Sequence, residues 1–345
     1  MMIVTQYSVL RRRALLSTLL ALFCTVPALA AEEVNVYSYR QPFLTEPMFD
    51  AFTEETGIKV NTVFAKEGLI ERLKNEGVNS PADLVLVANV GNLAAAVEAE
   101  IAQPVDNNIL QTNIPASFRD PDNEWFGLTS RARIIVTAKD RVEPGLVETY
   151  ADLTKPELQG RVCTRSGKHA YMVELLASII AHEGEEAAQS WLTGLKANLA
   201  RKPQGNERAQ VKAIAQGECD IAVINSYYMG AMLNEAEQQP WANSVNIVFP
   251  NQQDRGTHMN ISGVVLGTAS PNRDNAIKLL EFLASDTAQS LYAEKNHEYP
   301  IKEDVQPSEL VAGWGTFRKD ELPLNEIAKH RATASRMVDI VDYDG

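Results

Sequence analysis

The chain has 345 residues, 45% hydrophobic and 22% charged, with a formal net charge of −13 and three cysteines. That length exceeds one ordinary hydrophobic core and calls for two lobes. The acidic balance favours a soluble protein and argues against nucleic acid or an anionic membrane as partner.

Residues 1–30 read as an export signal: Arg11, Arg12 and Arg13, an apolar stretch over 14–26, then Ala28-Leu-Ala30 as a small-x-small cleavage motif. Cleavage is expected after Ala30, with the remainder in the periplasm. The apolar stretch is short for a bilayer, and no other run approaches the ~20 residues that a membrane helix needs. Phe23 before Cys24 is too bulky for a lipoprotein signal, and the triple arginine leaves the export route open.

Residues 34–39 alternate as a strand, and 46–56 repeat apolar residues at helical spacing until Gly57. Strand 58–64, helix 68–75, strand 83–87 and helix 92–99 follow. This is repeated β-α-β with short loops, the mark of a mostly parallel sheet between helices. The pattern shifts around Trp125 to Ser130, and a strand beginning at Ala132 is expected to cross into a second lobe. There, strand 162–165 precedes a helix with Met172, Leu175, Leu176, Ile179 and Ile180 on one face. Helices over 187–199 and 209–216 lead to strand 220–225. Residues 256–263 pass into strand 264–266, a return to the first lobe, before helix 275–284. The expected division is a first lobe of 31–130 and 256–305, a second of 131–255, and a C-terminal helical segment of 306–345. Two α/β lobes joined by crossing strands make a hinged clamp, the profile of a solute-capture protein.

Tyr227 and Tyr228 follow strand 220–225, and Tyr171 follows a similar strand-to-loop passage. In an open α/β sheet the carboxyl ends of strands face the ligand crevice. A phenol titrates near pH ~10, so a tyrosinate at neutrality needs a strong Lewis acid, of which ferric ion is the common biological case. The plainer alternative is a set of half-buried rim rings. Cys163 and Cys219 are an even pair in an oxidising compartment, which fits a disulfide; two buried thiols are the other reading.

Five runs then carry a resemblance: Val34-Asn-Val-Tyr-Ser-Tyr-Arg-Gln41, Trp125-Phe-Gly-Leu-Thr-Ser-Arg-Ala-Arg133, Lys196-Ala-Asn-Leu-Ala-Arg-Lys-Pro-Gln-Gly205, Asn225-Ser-Tyr-Tyr228 and Asn296-His-Glu-Tyr-Pro300. Together they resemble the periplasmic ferric-ion-binding proteins of bacterial iron ABC transporters, over essentially the whole chain after the signal. The resemblance implies an α/β, two-lobed type II periplasmic-binding-protein fold with an interlobe cleft and hinge strands. It implies capture of Fe³⁺ in that cleft by a monomer and delivery to an inner-membrane ABC permease, without enzymatic turnover. Tyr171, Tyr227 and Tyr228 take the positions of iron ligands. Some members add histidine, or histidine and tyrosine, after the first strand; here those positions hold Gln41 and Pro42.

Three phenolates balance Fe³⁺ formally, yet a hard ion prefers about six donors, leaving room for water or a bidentate anion. The family often uses carbonate or a similar synergistic anion held by arginine. Arg131 and Arg133, two apart in a strand, share a face and are the anion-holding candidates, interlobe ion pairs being the alternative. Arg40 is a third. Tyr37 and Tyr39 are expected in cleft wall or core, while Tyr39, Arg40 and Gln41 are candidates to border the metal. His169 is a neighbour of Tyr171, and His258 and His297 are ligands by type that a phenolate site does not require.

Two competing readings keep their place. One is the same fold holding a small organic solute such as phosphonate, thiamine or polyamine, for which carboxylates and stacking aromatics would line the cleft. The other is an exported enzyme, for which the chain offers no Gly-x-Ser-x-Gly, no His-Glu-x-x-His, no phosphate-cradling glycine loop and no clear acid pair.

Overall fold

The computed structural model describes residues 32–345; the export signal, its arginines, Cys24 and the cleavage site lie outside them. The described chain opens with β1 (Glu33–Ser38), α1 (Glu46–Thr56), β2 (Lys59–Phe64), α2 (Leu69–Glu76), β3 (Leu84–Val87) and α3 (Val90–Glu98). Short β4 (Ala102–Gln103) and α4 (Asn108–Asn113) precede the long strand β5 (Phe126–Ala138). Next come β6 (Val162–Cys163), α5 (Ala170–Glu183), α6 (Glu185–Ala197), α7 (Glu207–Ala215), β7 (Ile221–Asn225) and α8 (Tyr227–Leu233). After α9 (Gln239–Asn243) and β8 (Val245–Val248), β9 (Met259–Gly267) leads to α10 (Arg273–Leu283), α11 (Asp286–Asn296) and β10 (Tyr299–Pro300). Three helices close the chain: α12 (Glu309–Ala312), α13 (Leu324–Ala328) and α14 (Arg331–Ile340).

The strands run in the order β2-β1-β3-β9-β5-β7-β6. β1 is parallel to β2 and β3, as β-α-β connections require, and β9 is antiparallel to β3 and β5. β5 serves two neighbourhoods. Its first half pairs with β9, from Phe126 opposite Val264 to Ala132 opposite Met259; its second half pairs with β7 and β8, beginning with Arg133 opposite Asn225. All 13 residues of β5 are buried. The crossing strand therefore begins six residues earlier than its apolar run predicts. The Trp125 to Ser130 segment is masked to a pattern reader by Gly127, Thr129 and Ser130, and a register shift between Gly127 and Thr129 accommodates it.

One apolar core lies under β3, β5, β7 and α5, and a second packs β1 and the β3–β9 pair against α1 and α10 through Val34, Val36, Phe52, Leu84 and Phe282. The predicted face of α5 is buried, and the helix is ended by Gly184 in the left-handed region at φ +86°. Cys163 at the end of β6 and Cys219 before β7 form a disulfide with a Cα separation of 5.9 Å. The other helix boundaries fall within two residues of expectation, while strand 162–165 stops at Cys163, after which the chain turns toward the cap of α5.

Candidate functional site

Tyr227 and Tyr228 open α8 directly after β7, and the turn that presents them is stitched to β5. The Ser226 amide donates to the Ala132 carbonyl at 2.9 Å, and the Ala132 amide donates to Ser226 Oγ at 3.2 Å. Ala132 sits between Arg131 and Arg133, so the same register that fixes the tyrosine turn fixes both arginines beside it. The two rings stack at 4.2 Å, tilted by 29°. Tyr171 enters from the first turn of α5, where its amide donates to His169 Nδ1 at 3.2 Å and its ring meets the imidazole edge-on at 4.6 Å. Burial, with Arg165 and Arg133 nearby, holds His169 down to about 3, so it is neutral and acts as a cap.

The three phenols influence one another. Burial raises Tyr227 well above the ordinary phenol range, and the phenols of Tyr171 and Tyr228 raise it further. Burial, then Tyr171, pushes Tyr228 up to about 12. Tyr227 and Tyr228, so placed, keep their protons at neutrality. Positive charge surrounds them. The guanidinium carbons of Arg165, Arg131 and Arg133 stand 5.3, 5.6 and 5.9 Å from the Tyr171 ring centre, Arg40 stands 6.0 Å from that of Tyr227, and Arg208 stands 5.9 Å from that of Tyr228.

The two predicted anion-holding arginines are both engaged, with different partners. Arg133 pairs with the buried carboxylate of Glu207, donates to Asn225 Oδ1 at 3.0 Å and contacts Met172 Sδ at 3.4 Å. Arg131 donates to Ser262 Oγ at 2.7 Å and to the Ala88 carbonyl, and lies 3.7 Å from Glu298. Arg40 donates to Glu298 at 2.9 Å. Burial pulls the Arg40 guanidinium down, but Glu298 and the phenols of Tyr227 and Tyr171 more than offset it.

In and beside the loop after β1, Arg40 lies by Tyr227 while its neighbours have other partners. Tyr39 accepts from the Ile70 amide at 2.9 Å, Tyr37 turns away to Glu76 at 2.9 Å, and Gln41 is exposed before the short 3-10 turn Pro42–Leu44. His258 is buried, its amide donating to Tyr150 Oη at 3.2 Å. His297 Nε2 lies 2.6 Å from Asn234 Nδ2, and its ring packs against Gly230 of α8. Glu207, Glu298, Arg165 and Arg208 escaped the sequence reading. Arg165 and Glu298 stand inside runs already notable for other residues, whereas nothing local marks Glu207 or Arg208 as site-facing. No group of three or more His, Cys, Asp or Glu side chains suited to a metal occurs among the described residues.

Residues 79–313 match the model of the family described as bacterial extracellular solute-binding protein. The chain belongs to that family. Iron uptake protein A1 of Synechocystis is 42% identical to this solute-binding protein over 310 residues, 89% of this chain and 86% of that one. Among solved structures, the apo ferric ion-binding protein A of Pasteurella haemolytica superposes with a TM-score of 0.88 at 53% identity, covering 91% of this chain and 99% of its own. A Trichodesmium protein in complex with iron and citrate superposes with a TM-score of 0.85 at 39% identity, covering 90% and 99%. This solute-binding protein thus has the two-lobed type II fold that its sequence runs suggested, and its family is one of solute capture rather than turnover.

Proposed function

We propose that this protein captures ferric iron in the periplasm through the phenolates of Tyr171, Tyr227 and Tyr228, completes the coordination with carbonate or a similar anion, and delivers the ion to an inner-membrane ABC permease. The observation that carries this reading is the meeting of three phenols, from two separate strand-to-helix passages, beneath a ring of arginines. The ferric-ion names of its relatives and the iron and citrate of a structural neighbour support the same cargo. A hard trivalent ion suits oxygen donors, and three phenolates neutralise it. The phenols give up three protons on binding, a cost that the ion's charge and the arginine ring offset. Arg131, which shares Glu298 with Arg40, is the anion-holding candidate, with Arg133, paired with Glu207, the second. Residues 31–130 with 256–305, and 131–255, are taken as the lobes, with 306–345 as the C-terminal segment; the ion favours closure because it binds the closed form better.

Purified protein without its signal, stripped of metal and titrated with ferric citrate in bicarbonate buffer, tests this. A red charge-transfer band saturating at one iron per chain and absent from a Tyr171→Phe, Tyr227→Phe, Tyr228→Phe variant is expected. A folded protein that takes up iron with no such band would overturn tyrosinate ligation.

A further inference from the structure

Glu298 is fully buried and stands between two fully or nearly buried arginines, Arg40 and Arg131. His297 ends α11 in the left-handed region at φ +56°, and that turn aims the next residue inward. Glu298 Oε2 accepts from Arg40 at 2.9 Å; Oε1 lies 3.7 Å from Arg131 and finds no hydrogen-bond donor among the described residues. Removing three ions from water is expensive, and an apolar trio of the same volume would often be as stable or more so. Their far sides face the phenols, Arg40 toward Tyr227 and Arg131 toward Tyr171. One carboxylate between two guanidiniums keeps them from repelling and leaves the trio with a single net positive charge.

We propose that Glu298 is the resident counter-ion of the anion site, a positioning and tuning residue that sets how strongly Arg40 and Arg131 hold the synergistic anion. This rests on the tyrosinate reading above. With Glu298 charged, the arginine pair offers one net charge to the incoming anion, enough to orient it yet weak enough to release it with the iron. Its bond to Arg40 anchors that arginine, while Arg131 is fixed by Ser262 Oγ and the Ala88 carbonyl and feels Glu298 as a charge at 3.7 Å.

The test uses the whole protein without its signal, loaded with iron, freed of small anions and titrated with sodium bicarbonate while the charge-transfer band is followed. Charge arithmetic gives the order Arg40→Gln, then wild type and Arg40→Gln/Glu298→Gln together, then Glu298→Gln, in rising bicarbonate affinity, with steps of about tenfold for one unit of buried charge. The double variant removes both partners of the 2.9 Å pair and so avoids stranding a buried charge. A double variant weaker than Arg40→Gln would overturn the proposal, because a merely structural Glu298 predicts added damage. So would a folded Glu298→Gln with wild-type affinity; if Glu298→Gln does not fold, Arg40→Gln and the double variant still decide. A wild-type protein without the band would instead overturn the parent reading and leave a different signature.

Discussion

The Tyr171 ring lies beside three guanidiniums; Tyr227 lies beside Arg40 and also feels Arg131, and Tyr228 lies beside Arg208 and also feels Arg165. Tyr227 and Tyr228 are raised by burial and by their neighbours. Tyr228→Phe should lower ferric affinity by at least about a hundredfold, because loss of a charged oxygen from a hard ion exceeds the net worth of an ordinary hydrogen bond. Competition against a graded series of chelators would measure it, and near-wild-type affinity would remove Tyr228 from the ligand set. Arg165 helps hold down the Tyr228 phenol and leans on the Tyr171 ring. Arg165→Gln should accordingly weaken iron binding by about tenfold and shift the onset of the charge-transfer band to higher pH, which equal-pH titrations with the wild type would reveal.

At the scale of elements, α8 is held from both ends. Its first turn is bound to β5 through Ser226, and the His297 ring occupies the space where a side chain at Gly230 would stand. A methyl group there collides with the ring, so Gly230→Ala should destabilise the protein by about 1–3 kcal/mol and tilt the helix that carries two of the phenols. Urea denaturation gives the first quantity, and chelator competition reports the second. The Cys163–Cys219 disulfide closes a loop of 56 residues' separation at the base of the tyrosine-bearing strand β7. Replacing both cysteines by alanine should cost about 2–4 kcal/mol of unfolding free energy, with the phenol site intact in the folded fraction.

The helices and the parallel β-α-β start were legible in the sequence because one-sided apolar periodicity and terminal glycines are local signals. The pairing of β5 with β9 on one half and β7 on the other was not, since strand neighbours are chosen by tertiary packing. Likewise Tyr227 and Tyr228 stood out at a strand end, but the pairing of Arg133 with Glu207 depends on a fold-level contact across 74 positions. Only the packed chain shows that Arg133 is paired with Glu207 while Arg40 and Arg131 share Glu298.

For the whole molecule, pH acts on iron and on stability separately. Ferric binding through the three proposed phenolates would displace up to three protons, so on that reading the logarithm of apparent affinity should rise by up to about three per pH unit below the phenol range and fall equally on acidification. Chelator competition between pH 5.5 and 8 would show it, and a flat profile would exclude phenolate ligands. The protein without iron has its own dependence. His258 is buried, with both ring nitrogens unpartnered among the described residues; burial, then Arg255, Arg133, His182 and Arg131, hold it down to about 3. The unfolded chain therefore binds the extra proton first, and this contribution to stability is full above about pH 6.5 and is lost as pH falls toward 3. Glu174 has the opposite sign: burial pushes it up to about 7, so its contribution is greatest in acid and is lost as pH rises through that value. His258→Phe should flatten the acid limb of a stability profile while leaving the fall through neutrality that Glu174 sets.

A strand that belongs to two halves leaves neither half complete without it. The segment after β5, expressed alone, would carry β7 and β8 with their β5-facing edges bare, and a bare hydrophobic edge is a template for adding foreign strands. The segment before it would lack both β9 and the closing side of its sheet. Neither part is thus a self-contained cassette: each relies on the other for a strand that closes its sheet.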